Sequence, residues 1–157
     1  MTATKVIGES VKQTNITFIK SYVEDYAKAI TENYRRYHLN TLNGNLHGNY
    51  PEYAREQLDA IENGTANLMK FKVYTGKRYY KIVQQEFETW EKSRNYGKYA
   101  DHSVHCFVDK ETGDVYKPAS WSAPAKHIRF TFQNVDHLKF LLNPDNVGWA
   151  GGYLYIR

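Results

Sequence analysis

The chain has 157 residues, 41% of them hydrophobic, 24% charged and 15% aromatic. That composition excludes disordered, collagen-like and disulfide-scaffold classes and suits one domain with a core of its own. There are 21 Lys/Arg against 17 Asp/Glu, a net charge of +4. With a mean hydropathy of −0.70, no apolar run approaches the roughly 18 residues of a membrane span. The first 20 residues lack the continuous apolar centre of a signal peptide. The single cysteine, Cys106, excludes an internal disulfide and fits a reducing compartment.

In chain order, residues 1–14 are polar and aperiodic and read as an arm. From Ile19 the apolar positions Tyr22, Val23, Tyr26, Ala27, Ile30, Tyr34 and Tyr37 follow a 3.6-residue period. This predicts an amphipathic helix over 15–39, started by Thr14 or Asn15. Residues 40–49, NTLNGNLHGN, have the composition of a loop. Pro51 and the stripe Tyr50, Tyr53, Ala54, Leu58 and Ile61 predict a second helix ended by Gly64. Beyond it the period shortens to two. Met69, Phe71 and Val73 read as one strand, Arg78 to Phe87 as its return across a Thr75–Lys77 turn. The charged residues 88–101 form a long hairpin loop able to fold over a site. Val104, Cys106 and Val108 alternate with His105, Phe107 and Asp109 as a third strand. A turn at 109–113 then leads to a fourth strand at Asp114–Lys117. Pro118 and Pro124 bracket an irregular stretch. Residues 127–132 read as extended, Val135 to Leu142 as a short helix, and 153–156 as a closing strand. The expected fold class is α+β: a long N-terminal amphipathic helix and a second helix packed on a small antiparallel sheet. Residues 1–65 form the helical part and 66–157 the β-rich part, with a short helix, of one compact domain.

The basic excess is local. Residues 66–131 hold 12 Lys/Arg against 7 Asp/Glu, while both flanks are close to neutral. Lys70, Lys72, Lys77, Arg78 and Lys81 are interleaved with Tyr74 and Tyr80, and no acid stands between Met69 and Gln85. A second cluster holds Lys117, Trp121, Lys126 and Arg129. Positive charge attracts phosphate and aromatic faces stack bases, so these eleven residues are the candidate surface for single-stranded nucleic acid. The same pattern also arises when lysines solvate a strand face and aromatics fill a core.

Catalytic and metal constellations are weak. His102, His105 and Cys106, with His127, offer zinc-type ligands. However, His102 and His105 fall on opposite sides of a strand, and no second cysteine exists. A Cys106 nucleophile with His105 or His127 needs an accessible thiol of lowered pKa, whereas Cys106 reads as a small buried hydrophobe. Asp109, Glu111 and Asp114 sit in a tight turn, where acids bond local backbone. No phosphate-binding loop or dinucleotide fingerprint is present. No cofactor or metal is expected, and a non-catalytic role is favoured.

Ser103–Lys117, SVHCFVDKETGDVYK, and Ser120–Lys126, SWSAPAK, with the ending Trp149–Tyr155, resemble small uncharacterised proteins of tailed bacteriophages of the T7-like and marine group. The resemblance covers roughly the C-terminal half. It implies a phage origin and a place in the host cytoplasm or the virion, and it carries no activity or catalytic residue. The expected function is that of a phage accessory protein binding nucleic acid through a basic, aromatic-rich sheet. The alternative is a virion structural protein or a protein-binding inhibitor of a host factor. Partners are then nucleic acid or a phage or host protein, with no membrane. The 15–39 helix is a candidate for self-assembly, because its stripe is longer than a typical strand can cover.

Overall fold

A computed structural model describes residues 9–155. Three helices, α1 (Glu9–Asn45), α2 (Pro51–Glu62) and α3 (Val135–Leu141), accompany five strands. These are β1 (Lys70–Thr75), β2 (Tyr79–Phe87), β3 (Tyr99–Asp109), β4 (Asp114–Pro118) and β5 (Pro124–Thr131). The strands form one antiparallel sheet in the order β1-β2-β3-β4-β5. The architecture is the expected α+β. Among the described residues no helix is long and apolar enough to cross a membrane.

The helix α1 runs beyond the expected 15–39 at both ends. At its C-terminal end Leu42 is fully buried, so burial of one apolar side chain keeps the Asn- and Gly-rich 40–45 segment helical against its composition. Residues 9–14 belong to α1 and not to an arm; the rest of that expected arm lies outside the described residues. The cap at Thr14 or Asn15 does not exist, because both positions are inside the helix. Pro51 opens α2, where a missing N–H costs nothing, and Gly64 takes the left-handed φ of +74° after it.

Ile19, Val23, Tyr26, Ala27 and Ile30 of α1 pack on one face of the sheet, on Phe71, Tyr80, Ile82, Cys106, Val108 and Val115. Leu141, Val147 and Leu154, from α3 and the C-terminal segment, join the same core. Both expected halves of the chain therefore share one core. Further along the stripe, Tyr34 and Tyr37 pack on Trp149, with ring centroids 5.3 Å apart in each pair. Asn33 fastens this loop: its Nδ2 donates to the Pro144 carbonyl at 2.7 Å, and its Oδ1 accepts from the Trp149 N–H at 3.0 Å. The described stripe thus meets the sheet at one end and the C-terminal loop at the other, where Tyr37 stays 52% exposed.

Two local departures from simple alternation matter for the site. In β3 the pairing passes from Ile82↔Cys106 to Val83↔Val104, which leaves His105 as a bulge residue. His105 and Cys106 are consequently both buried on the helix side, and Val104 does not share the Cys106 face as strict alternation predicts. At the C-terminus the expected strand 153–156 is instead a 3-10 turn, Gly152–Leu154, entered through Gly151 at φ +83°; Ile156 lies outside the described residues. Gly151 reverses the chain and drives Leu154 into the core. Gly113, at φ +75°, closes the β3–β4 turn with no room for a side chain: a Cβ there would stand 2.9 Å from the Phe132 Cβ.

Candidate functional site

Strand register divides the sheet into two chemically different faces, because directly paired residues point the same way. Phe71, Val73, Tyr80, Ile82, Cys106 and Val108 face the helices. The opposite face carries the rows Lys70–Gln85–Asp101, Lys72–Val83–Val104 and Tyr74–Lys81–Phe107–Tyr116–Ile128. None of these open-face residues belongs to the main core cluster. Long polar and aromatic side chains cover their small neighbours there. Phe107 is buried beneath Tyr79, whose ring meets it edge-on at 5.8 Å.

A cavity of about 530 Å³ opens on this face. Its walls are Tyr74, Tyr79, Lys81, Asp101, Phe107 and Trp121, and the β1–β2 turn, Thr75 to Arg78, forms its rim. The turn is short because the Gly76 N–H bonds the Tyr79 carbonyl at 2.9 Å. Trp121 projects from the irregular stretch between Pro118 and Pro124, which the Ala119 and Ser120 N–H groups tie to the Ala123 carbonyl. Lys81 positions Trp121: its Nζ donates to the Trp121 carbonyl at 3.0 Å and lies 4.1 Å from the centre of the indole ring. The cation thus both holds the loop and faces the π-surface.

On the cavity wall the exposed Asp101 accepts through Oδ1 from the Tyr74 hydroxyl and from Gln85 Nε2, each at 2.8 Å. The Tyr74 hydroxyl also lies 3.0 Å from Oδ2. Its hydrogen bond to this carboxylate, with some burial, raises the Tyr74 pKa and keeps it a donor. On the rim, the Arg78 guanidinium approaches Asp109 at 3.7 Å and stands 5.2 Å from the Tyr79 ring. Asp109 itself is committed to the next turn, its Oδ1 accepting from the Glu111 and Thr112 N–H groups. The lysines along the face also lie over rings, Lys70 over Tyr99 at 3.9 Å and Lys72 over Tyr74 at 4.8 Å.

Of the eleven sequence candidates, Tyr74, Lys77, Arg78, Lys81 and Trp121 line this cavity, and Lys70 and Lys72 stand on the same face beside it. Tyr80 does not belong to the surface: it pairs with Val108 on the helix side and is buried, so it is a core residue. Of the second cluster only Trp121 is brought to the first. Lys117 stands 4.5 Å over the Tyr155 ring. Arg129 Nε donates to the Leu154 carbonyl at 2.6 Å. Both serve the C-terminal segment, and Lys126 is exposed on the edge strand β5. None of residues 88–98 lines the cavity, so that loop does not fold over it.

The catalytic alternatives find no support in the geometry. Cys106 is enclosed, and burial pushes its thiol up to about 12, outweighing the lowering effect of the Tyr26 hydroxyl. His105 Nε2 lies 2.7 Å from the Tyr153 hydroxyl, which is 2.5 Å from the Tyr26 hydroxyl. With this internal network around it, Cys106 lines neither the open-face cavity nor the smaller one beside His105. Among the described residues no three His, Cys, Asp or Glu side chains assemble as metal ligands.

A protein-family model described as a family of unknown function (DUF7717) matches residues 6–156. The chain belongs to that family. No curated protein and no solved structure matches this DUF7717 chain. The candidate surface left out three of the cavity walls, Asp101, Phe107 and Tyr79, the last an aromatic of the basic stretch itself. Tyr79 and Phe107 were legible as strand partners of opposite phase to Tyr80 and Cys106. Asp101 had no signal, since it falls in a segment read as loop and reaches the site only because β3 begins at Tyr99.

Proposed function

We propose that this protein binds single-stranded nucleic acid across the open face of its sheet. The observation that carries the reading is the convergence of Lys70, Lys72, Lys77, Arg78 and Lys81 with Tyr74, Tyr79 and Trp121 on one unhelical face around a cavity. Lysines supply attraction to phosphates, and aromatic faces accept stacked bases without demanding a sequence. Trp121, held by Lys81, keeps 45% of its surface exposed, an aromatic area open to a base. The resemblance of Ser103–Lys117 and Ser120–Lys126 to small tailed-bacteriophage proteins supports an accessory role in an infected host.

Anisotropy titration of a labelled single strand over a range of salt concentrations tests the proposal. If the five cations each meet a phosphate, affinity falls with salt at a log–log slope of about −3.5. That is a loss of about 100-fold between about 50 and 200 mM salt. Lys72→Glu with Lys77→Glu makes the slope shallower by at least about 1.4 and weakens binding. Absence of binding at about 50 mM salt, or binding indifferent to salt, overturns the proposal.

A further inference from the structure

β1 stands at one end of the sheet, so only one side of its backbone is paired with a strand. The β1–β2 turn fixes which groups point the other way. The Gly76 N–H bonds the carbonyl of Tyr79, which the β1–β2 register sets opposite it. In an antiparallel ladder, hydrogen-bonded and non-bonded pairs alternate. Counting back from Gly76, the backbones of Tyr74, Lys72 and Lys70 bond β2, and those of Phe71, Val73 and Thr75 point outward. No hydrogen bond from elsewhere among the described residues reaches these three backbones. The side chains of the same three residues line a groove of about 610 Å³ between β1 and α1. We propose that this edge takes up an extended segment of a partner protein as a sixth, antiparallel strand, and that the segment alternates apolar and acidic residues. The inference concerns the sheet edge and stands apart from the open-face reading, with which it shares Lys70 and Lys72.

The two sides of the edge select the segment. A residue set directly opposite Phe71, Val73 or Thr75 points its side chain the same way they do, into the groove. There it meets Phe71, Val73 and Ala27, which make an apolar floor. The intervening residues point to the open face, beside Lys70 and Lys72. Both lysines are exposed, and β1 carries no acid. Opposite charges across neighbouring strands attract and like charges repel, so acids belong at these intervening positions. On the far wall of the groove, α1 adds Lys20 and Lys28 around Glu24.

The same lysines decide between occupants. Lysine on an edge strand is a common guard against pairing with another copy. A second copy of β1 would bring the same two lysines to this flank, whereas an acidic segment turns the guard into an attraction. Main-chain bonds then supply the affinity and alternate side chains the selection, the usual division in strand addition. Six residues of β1 at about 3.3 Å each span about 20 Å, so a segment of similar length is matched.

The test titrates the full chain into fluorescein-labelled octapeptides and reads anisotropy. The probe alternates valine and glutamate. It should bind about tenfold tighter than an octapeptide alternating valine and lysine, or one with four valines before four glutamates. Methylating the backbone nitrogen of a central valine, which faces β1, should abolish binding, while methylating the neighbouring glutamate nitrogen, which faces solvent, should leave it. Val73→Pro removes one outward N–H and no bond to β2, so it should fold and lose at least tenfold in affinity. Lys70→Glu with Lys72→Glu should reverse the preference toward the valine–lysine probe. Equal binding of the three octapeptides, or equal binding of the probe and both of its methylated forms, overturns the proposal. Either result leaves the open-face reading standing, because the salt titration of single strands tests that reading by itself.

Discussion

Acidification should loosen this fold through one buried imidazole. His105 is enclosed by Phe71, Tyr153 and the Trp149 loop, and burial lowers its pKa from 6.5 to about 4, against a smaller opposing effect of the Trp149 backbone. In the unfolded chain His105 titrates near 6.5. Below that pH the unfolded state binds a proton that the folded state refuses, so stability is greatest above about 6.5 and falls until the folded pKa near 4 is reached. The full difference corresponds to about 3 kcal/mol, of which about 2 kcal/mol is lost between about pH 7 and pH 5. Ordinary carboxylates change little in that interval. Urea unfolding at a series of pH values measures it directly. His38, half-buried and stacked on Tyr34, is lowered by burial as well, so the comparison is made in a His38→Gln background. There, His105→Gln should be less stable at pH 7 but lose most of the pH dependence down to pH 5. A slope that survives His105→Gln, or stability that rises on acidification, refutes the reasoning.

Cys106→Ala should fold and keep any nucleic-acid affinity, at a cost of order 1 kcal/mol in denaturant unfolding, because the thiol fills core space away from the open face. Gly113→Ala should cost more than about 1 kcal/mol by the same assay, since a positive φ and the 2.9 Å approach to the Phe132 Cβ act together. Asn33→Ala should cost about 1–3 kcal/mol and expose Trp149 to fluorescence quenchers, because it releases two bonds that hold the C-terminal loop on α1.

Much of the fold was legible because burial is one-sided. The stripe from Ile19 to Ile30 repeats at 3.6 residues for the simple reason that only one side of α1 meets the sheet. The β1–β2 hairpin alternates cleanly because one face is core and the other is not. The turn at Asp109–Gly113 was legible from its own chemistry, acid side chains bonding local N–H groups before a left-handed glycine. What escaped depends on distant parts of the chain. The helical end of α1 at residues 40–45 is held by burial of Leu42, a tertiary effect that outweighs composition. The start of β3 at Tyr99 has no alternation of its own, and pairing with Phe87 on β2 decides it. The C-terminal tyrosines look like strand residues but are placed by Gly151 and by the hydrogen bond from Tyr153 into the core network.

The candidate site follows the same division. Period two separates Tyr80 from Tyr79 and Lys81, so the phase of β2 by itself removes Tyr80 from the surface. Composition alone joins them, because charge and aromatic counts ignore which side of a strand a residue takes. Phase also removes Lys117, which follows open-face Tyr116, but it cannot remove Arg129. Lys117 stands over Tyr155, and Arg129 lies at a register shift between β4 and β5 and meets the Leu154 carbonyl. A bulge and a folded terminus are both invisible in local pattern. Asp101 shows the complementary limit. A single acid in a basic segment lowers the net charge and weakens the sequence signal for nucleic acid. Bonded by Tyr74 and Gln85, it is a wall of the cavity that composition gave no reason to place beside those rings.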